Sequence, residues 1–199
     1  ALAIQKIVMK HISLILLLFL FFGISINANS LVSPLMYNSS ADTVVVKRNK
    51  KDSQILTIKL KGGVVYVGEV RMRRPHGTGT ATYKNGDVYK GEFHKGKRSG
   101  KGEILYADGS KYVGGFEKDS LHGNGKLQYA DGNIFEGSWE NGLRKEYGRM
   151  TYLNGDVYAG SWSKNMRNGK GDYFFSEGAS YSGEWKNDEY SGDGVFVWS

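Results

Sequence analysis

At 199 residues the chain is long enough for one domain of ordinary size, and it holds 28 glycines, 13 tyrosines, 2 prolines and no cysteine. The missing cysteines exclude a disulfide framework, a thiol nucleophile and any thiolate-ligated metal, while 13% aromatic content argues against a disordered or linker-like chain. The formal net charge of +7 suggests an anionic partner, subject to how that charge is distributed.

Residues 1–30 read as a secretory signal peptide. Lys6, Lys10 and His11 precede an apolar run from Ile12 to Ser25, and small residues follow at Ala28 and Ser30. The run is shorter than the about 20 residues that cross a bilayer, and an uncleaved anchor is the alternative. The chain begins with Ala1, and Met9 is expected to be the natural start. This reading makes the mature protein an exported one. Residues 31–53 read as a linker, with a glycosylation sequon at Asn38-Ser39-Ser40 that carries little weight. Residues 54–64 are expected to supply an N-terminal capping strand.

From residue 65 the chain falls into rows of 23 without insertion or deletion: 65–87, 88–110, 111–133, 134–156, 157–179 and a final row over 180–199. One column is Tyr66, Tyr89, Tyr112, Phe135, Tyr158 and Tyr181. Two residues on, every row has glycine, and two further on stand Val70, Phe93, Phe116, Trp139, Trp162 and Trp185. A Gly-x-Gly pair follows, then an Asn-Gly or Asp-Gly turn in the first five junctions save Glu177-Gly178.

In VYKGEF the side chains of Tyr89, Gly91 and Phe93 share one face and those of Lys90 and Glu92 the other. Each row is therefore expected to form a β-hairpin with one aromatic and one polar face, successive hairpins being joined by the Asn-Gly or Asp-Gly turn in type I′ geometry. The glycines of the apolar face leave room for a neighbouring ring to lie on the backbone. The fold predicted is all-β, an elongated single-sheet antiparallel meander of stacked hairpins, six rows spanning roughly 60 Å at a strand spacing near 4.8 Å.

The pattern YxGxF/W…GxGxxxY-x-D/N-G, seen in full in YKGEFHKGKRSGKGEILYADGSKY, resembles the MORN (membrane occupation and recognition nexus) repeat family over residues 65–199. The resemblance implies stacked hairpins forming one long grooved sheet and a non-catalytic role as scaffold, dimerising or partner-binding surface or, in some members, phospholipid binder. Such arrays also occur as appendages of lipid kinases and a lysine methyltransferase, but no such catalytic domain is read within these 199 residues. Three departures stand out. Glu146 replaces the first Gly of the Gly-x-Gly pair in row four, where a local narrowing or bend is expected; Val70 replaces an aromatic; and the sixth row reaches Ser199 without a closing turn, leaving an open edge or a truncated array.

No catalytic constellation emerges. The glycines of KGKRSGKG recur every 23 residues and do not sit between a strand and a helix, unlike a phosphate loop. His76 and His122 share a column about 19 Å apart, His11 and His94 have no constellation, and the turn acids such as Asp108 and Asp131 read as turn formers rather than calcium ligands. Neither a metal, a cofactor nor a nucleic-acid partner is expected.

Charge is polarised instead. Residues 47–74 hold nine Lys/Arg against Asp52 and Glu69, while residues from Ala130 onward hold 7 basic and 11 acidic side chains. The candidate patch for an acidic lipid or other partner is Lys47, Arg48, Lys50, Lys51, Lys59, Lys61, Arg71, Arg73 and Arg74, with Lys95, Lys97, Arg98 and Lys101 beside it. The candidate groove aromatics are Tyr66, Tyr89, Phe93, Tyr112, Phe116, Phe135, Trp139, Tyr158, Trp162, Tyr181 and Trp185, read by default as packing and alternatively as an open platform for peptide, glycan or lipid. The expected function is an exported, non-enzymatic scaffold for a protein partner. The alternatives are a peripheral protein binding acidic phospholipid through its basic rows and, more weakly, a glycan binder. Self-association through open sheet edges is also expected, head-to-tail if the charge polarity drives it.

Overall fold

The computed structural model describes residues 43–44 and 55–199, which fall in one compact unit spanning residues 39–199. The signal peptide expected over 1–30 lies outside the described residues, as does most of the expected linker. Every described element is a strand: β1 (Thr43–Val44), β2 (Ile55–Leu60), β3 (Val64–Arg71), β4 (Arg74–Thr82), β5 (Val88–His94), β6 (Lys97–Leu105), β7 (Lys111–Glu117), β8 (Ser120–Gln128), β9 (Ile134–Glu140), β10 (Leu143–Thr151), β11 (Val157–Ser163), β12 (Met166–Phe174), β13 (Ser180–Lys186) and β14 (Glu189–Val197). They form one antiparallel sheet in chain order, the meander expected from the alternation of the sequence. Within the segment read as linker, Thr43 and Val44 pair with Ile58 and Thr57 of β2.

The turn chemistry differs from expectation. Type I′ geometry belongs to the two-residue links inside each row, where both residues have positive φ: Met72 and Arg73 (49° and 58°), Lys95 and Gly96 (52° and 88°), and so on to Asn187 and Asp188 (52° and 71°). At the Asn-Gly junctions between rows five residues separate the strands, too many for a two-residue loop. There Gly86 donates to the Tyr83 carbonyl (3.0 Å) and Tyr83 to the Asp87 carbonyl (2.9 Å), with Gly86 at φ 100° as the single left-handed residue.

The glycines divide into two sets with different jobs. Gly68, Gly79, Gly91, Gly102 and Gly114 stand opposite one another strand after strand, and the row continues to Gly183 and Gly194. A Cβ on Gly102 would lie 2.4 Å from the Tyr89 hydroxyl oxygen, so this row is the bed on which the first aromatic of each hairpin lies. The other set sits in a bulge on the second strand of each row, between the pairs Gly91–Gly102 and Phe93–Arg98 in row two. Its members have positive φ, Gly100 at 70° and Gly123 at 68°, and Glu146 occupies the same position at 60°. Glu146 pairs with Trp162 as Gly100 pairs with Phe116, so row four keeps the register and the bulge of the other rows. At Glu146 the site asks for a left-handed backbone, which glutamate supplies at modest strain, whereas a Cβ on Gly77 or Gly100 would meet the facing Glu69 or Glu92 carboxylate.

Rings carry the core. From Tyr66 to Trp185 they meet edge to face in an unbroken zigzag: Tyr66–Phe93 at 4.9 Å, Phe93–Tyr89 at 5.1 Å, Tyr89–Phe116 at 4.9 Å, and onward to Tyr158–Trp185 at 5.3 Å and Trp185–Tyr181 at 5.4 Å. The buried tyrosine hydroxyls donate to first-strand carbonyls that face the bulge, Tyr89 to Glu92 at 2.9 Å and Tyr158 to Ser161 at 2.9 Å, which satisfies a polar group that phenylalanine would lack.

Candidate interaction surfaces

The eleven candidate groove aromatics are between 0% and 8% exposed. None presents an open ring to a ligand; their faces are taken by neighbouring rings, by the glycine backbone and by arginines. Arg144 stands over Trp162 at 4.3 Å and Arg167 over Trp185 at 4.1 Å. Each of these arginines also donates to the main-chain carbonyl of the next row's hairpin turn, Arg144 to Asn165 and Arg167 to Asp188. The aromatic columns therefore hold the sheet to itself, and the surfaces left for partners are the opposite face, the two rims and the strand edge.

The basic patch does not form a single surface. Lys47, Arg48, Lys50 and Lys51 lie outside the described residues. Lys59 and Lys61 stand at the rim of the five-residue junctions, where Gly63 approaches the Lys84 side chain. Arg71, Arg73, Arg74, Lys95 and Lys97 cluster at the opposite rim, on the hairpin tips of rows one and two. The eight residues of β3 separate the two rims by roughly 26 Å at strand rise. Met72 projects between Arg71 and Arg73 with 85% of its surface exposed. Arg98 is withdrawn from the patch: its guanidinium packs 5.5 Å from the Phe116 ring and donates to the Asp119 carbonyl. Lys101 belongs to the polar face.

His94, expected to have no constellation, stands with its ring 5.3 Å from that of His76. Antiparallel pairing of β4 with β5 brings the two columns together, a proximity the column spacing within rows hides. No group of three or more metal-ligating side chains is present among the described residues.

The face opposite the rings carries a groove of about 980 Å³ across β2 to β8. Its floor is the backbone of Gly68, Gly79, Gly91, Gly102 and Gly114, whose absent side chains would point to the ring face. Ile55, Val67 and Val113 line it, 63%, 43% and 49% exposed. Lys90 and Lys101 add two cations that make no ion pair with any described residue, whereas Glu103 is tied to Lys111 at 3.0 Å. The bulges shape one wall: Glu69 accepts the Thr78 N–H at 3.1 Å and Glu92 the Lys101 N–H at 2.9 Å. The backbone N–H and hydroxyl of Thr78 hold the Glu69 carboxyl below its ordinary range. Sequence reasoning assigned Lys90 and Lys101 to the outward face but missed the groove, whose signal is the same glycine row seen from its back.

One hairpin repeated every 23 residues, laid strand by strand into a single sheet, defines a repeat scaffold. Six consecutive matches to the MORN repeat cover residues 66–88, 89–111, 112–134, 135–157, 158–180 and 181–199, and the chain belongs to the MORN repeat family. Comparison with curated protein sequences gives no match. Among solved structures the chain is similar to the TCP domain of Drosophila melanogaster SAS-4 (dCPAP), in complex with a proline-rich motif of Ana2 (dSTIL), at 15% identity and TM-score 0.44 over 77% of this chain and 86% of that one. It is also similar to the TCP10 domain of Danio rerio CPAP, at 12% identity and TM-score 0.41 over 66% of this chain and 63% of that one.

Proposed function

We propose that this MORN array is a non-enzymatic scaffold that receives a segment of a protein partner in the glycine-floored groove across β2 to β8. The observation that carries the reading is the pairing of a long apolar depression with two unneutralised lysines, Lys90 and Lys101. A partner segment with apolar side chains for Ile55, Val67 and Val113 and a carboxylate for each lysine fits that surface. Residues 1–30 are expected to deliver the protein to an exported compartment.

The test is capture of partners from the compartment where the protein resides, with the unmodified chain and a Lys90→Glu/Lys101→Glu/Val113→Lys variant compared by mass spectrometry. All three side chains are exposed, so the fold is expected to persist. Partners lost specifically with the variant support the reading; an identical set of partners overturns it.

A second reading rests on Met72, exposed among Arg71, Arg73, Arg74, Lys95 and Lys97. An apolar tip ringed by cations suits an acidic phospholipid surface, each cation near the headgroups contributing about 1 kcal/mol. Flotation with anionic vesicles at about 0.1 M salt, near a 10 Å screening length, tests it. A Met72→Ser/Arg73→Glu/Arg74→Glu chain that floats as well as the unmodified one removes the lipid reading without touching the groove. The glycan reading loses its support in the burial of Trp139, Trp162 and Trp185, each 5% exposed or less.

A further inference from the structure

His76 and His94 belong to different rows, yet the sheet brings their side chains together. β4 pairs with β5 through Gly77 opposite Phe93, and one step further along that register His76 stands opposite His94. Phe93 lies on the ring face, so strand alternation sends both imidazoles to the polar face. Their ring centres are 5.3 Å apart and their planes are tilted by 46°, against 79° for the buried pair Tyr66–Phe93. The backbone beneath them is fixed. Pro75 is buried, and its carbonyl accepts the Gly96 N–H at 2.8 Å, which closes β4 onto the turn that follows His94. The His76 carbonyl accepts the Tyr66 hydroxyl at 3.3 Å. The side chains stay accessible, His94 exposed and His76 half-buried.

The other junctions do not repeat this pairing. The same step sets Ser99 against Glu117, His122 against Glu140, Lys145 against Ser163 and Asn168 against Lys186. His122 is engaged by a carboxylate, its Nε2 lying 3.5 Å from Glu117, whereas among the described residues His76 and His94 have no carboxylate at ion-pair distance. Imidazole nitrogens bind divalent transition metals at about 2.0–2.1 Å, and two imidazoles on one tetrahedral ion stand with their ring centres about 5 Å apart. The observed separation matches, and only the ring torsions, which are broad for histidine, need to turn for two nitrogens to converge.

We propose that His76 and His94 together bind one divalent transition-metal ion, Cu²⁺ ahead of Ni²⁺ and Zn²⁺. The ion pins β4 to β5 at the rim of rows one and two and keeps its remaining positions for water or for a ligand brought by a partner. Two neighbours bear on its charge. Glu69 stands beside His76 on β3, its carboxylate held by the Thr78 N–H at 3.1 Å and the Thr78 hydroxyl at 3.0 Å, and it favours a dication. Lys97 stands opposite His94 on β6 and opposes one. The site is independent of the partner-binding reading, because neither histidine lines the groove across β2 to β8.

Titration of the full chain with Cu²⁺ alone, followed by calorimetry and electron paramagnetic resonance, tests the site. A saturable site whose hyperfine pattern reports two imidazole nitrogens is expected. His76→Gln and His94→Gln are each expected to weaken binding roughly tenfold or more. His122→Gln and His11→Gln are expected to leave it unchanged, and far-UV circular dichroism confirms that each variant folds. Lys97→Glu replaces the opposing cation with a carboxylate beside His94 and is expected to tighten binding roughly tenfold. Ca²⁺ and Mg²⁺, which take oxygen ligands, are expected not to compete. The absence of saturable binding, binding that survives both His76→Gln and His94→Gln, its loss in His122→Gln, weaker binding by Lys97→Glu, or displacement of Cu²⁺ by Ca²⁺ overturns the proposal.

Discussion

Arg98 and Asp119, 21 residues apart, grip one another through main chain and side chain at once. The Asp119 carboxylate accepts the Arg98 backbone N–H at 2.9 Å, the Arg98 guanidinium donates to the Asp119 carbonyl, and the Asp119 N–H returns to the Arg98 carbonyl at 3.0 Å. Arg144 with Asn165 and Arg167 with Asp188 repeat the clasp. Where the arginine column instead holds Pro75 or Leu121, the facing turn residue is Gly96 or Gly142, and only the main-chain bond remains. The chain thus uses two matched solutions for one junction, arginine with Asp or Asn and an apolar residue with Gly.

That matching predicts energetic coupling. Arg98→Leu removes the charge-assisted bond and leaves the Asp119 carboxylate without its guanidinium, a loss of about 1–3 kcal/mol. Asp119→Gly alone loses the acceptor for the Arg98 N–H, although glycine relieves a backbone at φ 78°. The double variant recreates the Leu121–Gly142 pair already in the chain. Urea unfolding of the four forms is expected to show the double variant more stable than the sum of the single losses by roughly 0.5–3 kcal/mol, the range for residues in contact.

Gly102 and Gly123, one from each glycine set, predict opposite tolerances. Gly102→Ala drives a Cβ to 2.4 Å from the Tyr89 hydroxyl oxygen and 2.6 Å from its Cε2. The ring is fully buried and has nowhere to go, so a loss of about 3 kcal/mol or more is expected from overpacking. Gly123→Asn meets open space, with no atom within 4 Å of an added Cβ, and asparagine accepts the left-handed backbone found there at φ 68°. It is expected to change stability by no more than about 1 kcal/mol. Thermal unfolding of the two variants checks both.

These contrasts mark what was legible in the sequence. Period-two alternation at Tyr89, Gly91 and Phe93 exposed the strands, and the unbroken 23-residue columns exposed their order, because each row must bury the same face against its neighbours. The local backbone was less legible. Lys118-Asp119 and Met72-Arg73 carry no turn signature of their own, yet they adopt type I′ φ values because the flanking strands demand that twist. The scatter of the basic patch was hidden for another reason. Cations only ten positions apart, such as Lys61 and Arg71, end on opposite rims because a strand lies between them. Arg98 looked like a surface cation until the fold placed Asp119 and the Phe116 ring against it.

Alkaline titration reports on the aromatic column. Burial pushes Tyr66, Tyr112 and Tyr158 up to about 12, and it raises Tyr89 further. Tyrosine is neutral when protonated, so the unfolded chain ionises near pH 10 while the folded tyrosines hold their protons. Their stabilising effect is complete below pH 10 and fades as pH rises from about 10 through about 12. Unfolding followed by circular dichroism is therefore expected to fall in that window together with a cooperative step in tyrosinate absorbance. A gradual non-cooperative absorbance rise centred on pH 10 would contradict the burial of these rings.

Asp156 provides the acid counterpart. Burial raises its carboxyl, but hydrogen bonds from the Ser176 backbone, the Tyr173 hydroxyl and the Asn154 amide outweigh it and leave the group below its ordinary range. The distances are 2.8 Å from Ser176, 2.7 Å from Tyr173 and 2.9 Å from Asn154. Through Ser176 this one carboxylate ties the loop of row four to the loop of row five, as Asp87 ties its row to Ala107 at 2.9 Å. A lowered folded value means stability that is present above the unfolded pKa near 4 and is lost as pH falls through the folded one. Asp156→Ala is expected to remove about 1–3 kcal/mol at pH 7, because it strands the Tyr173 hydroxyl and the Ser176 N–H. The gap between the variant and the unmodified chain should then narrow steadily as the pH is lowered below about 4. A difference that stays constant across that range in paired urea titrations would show that Asp156 acts by shape alone and not through its charge.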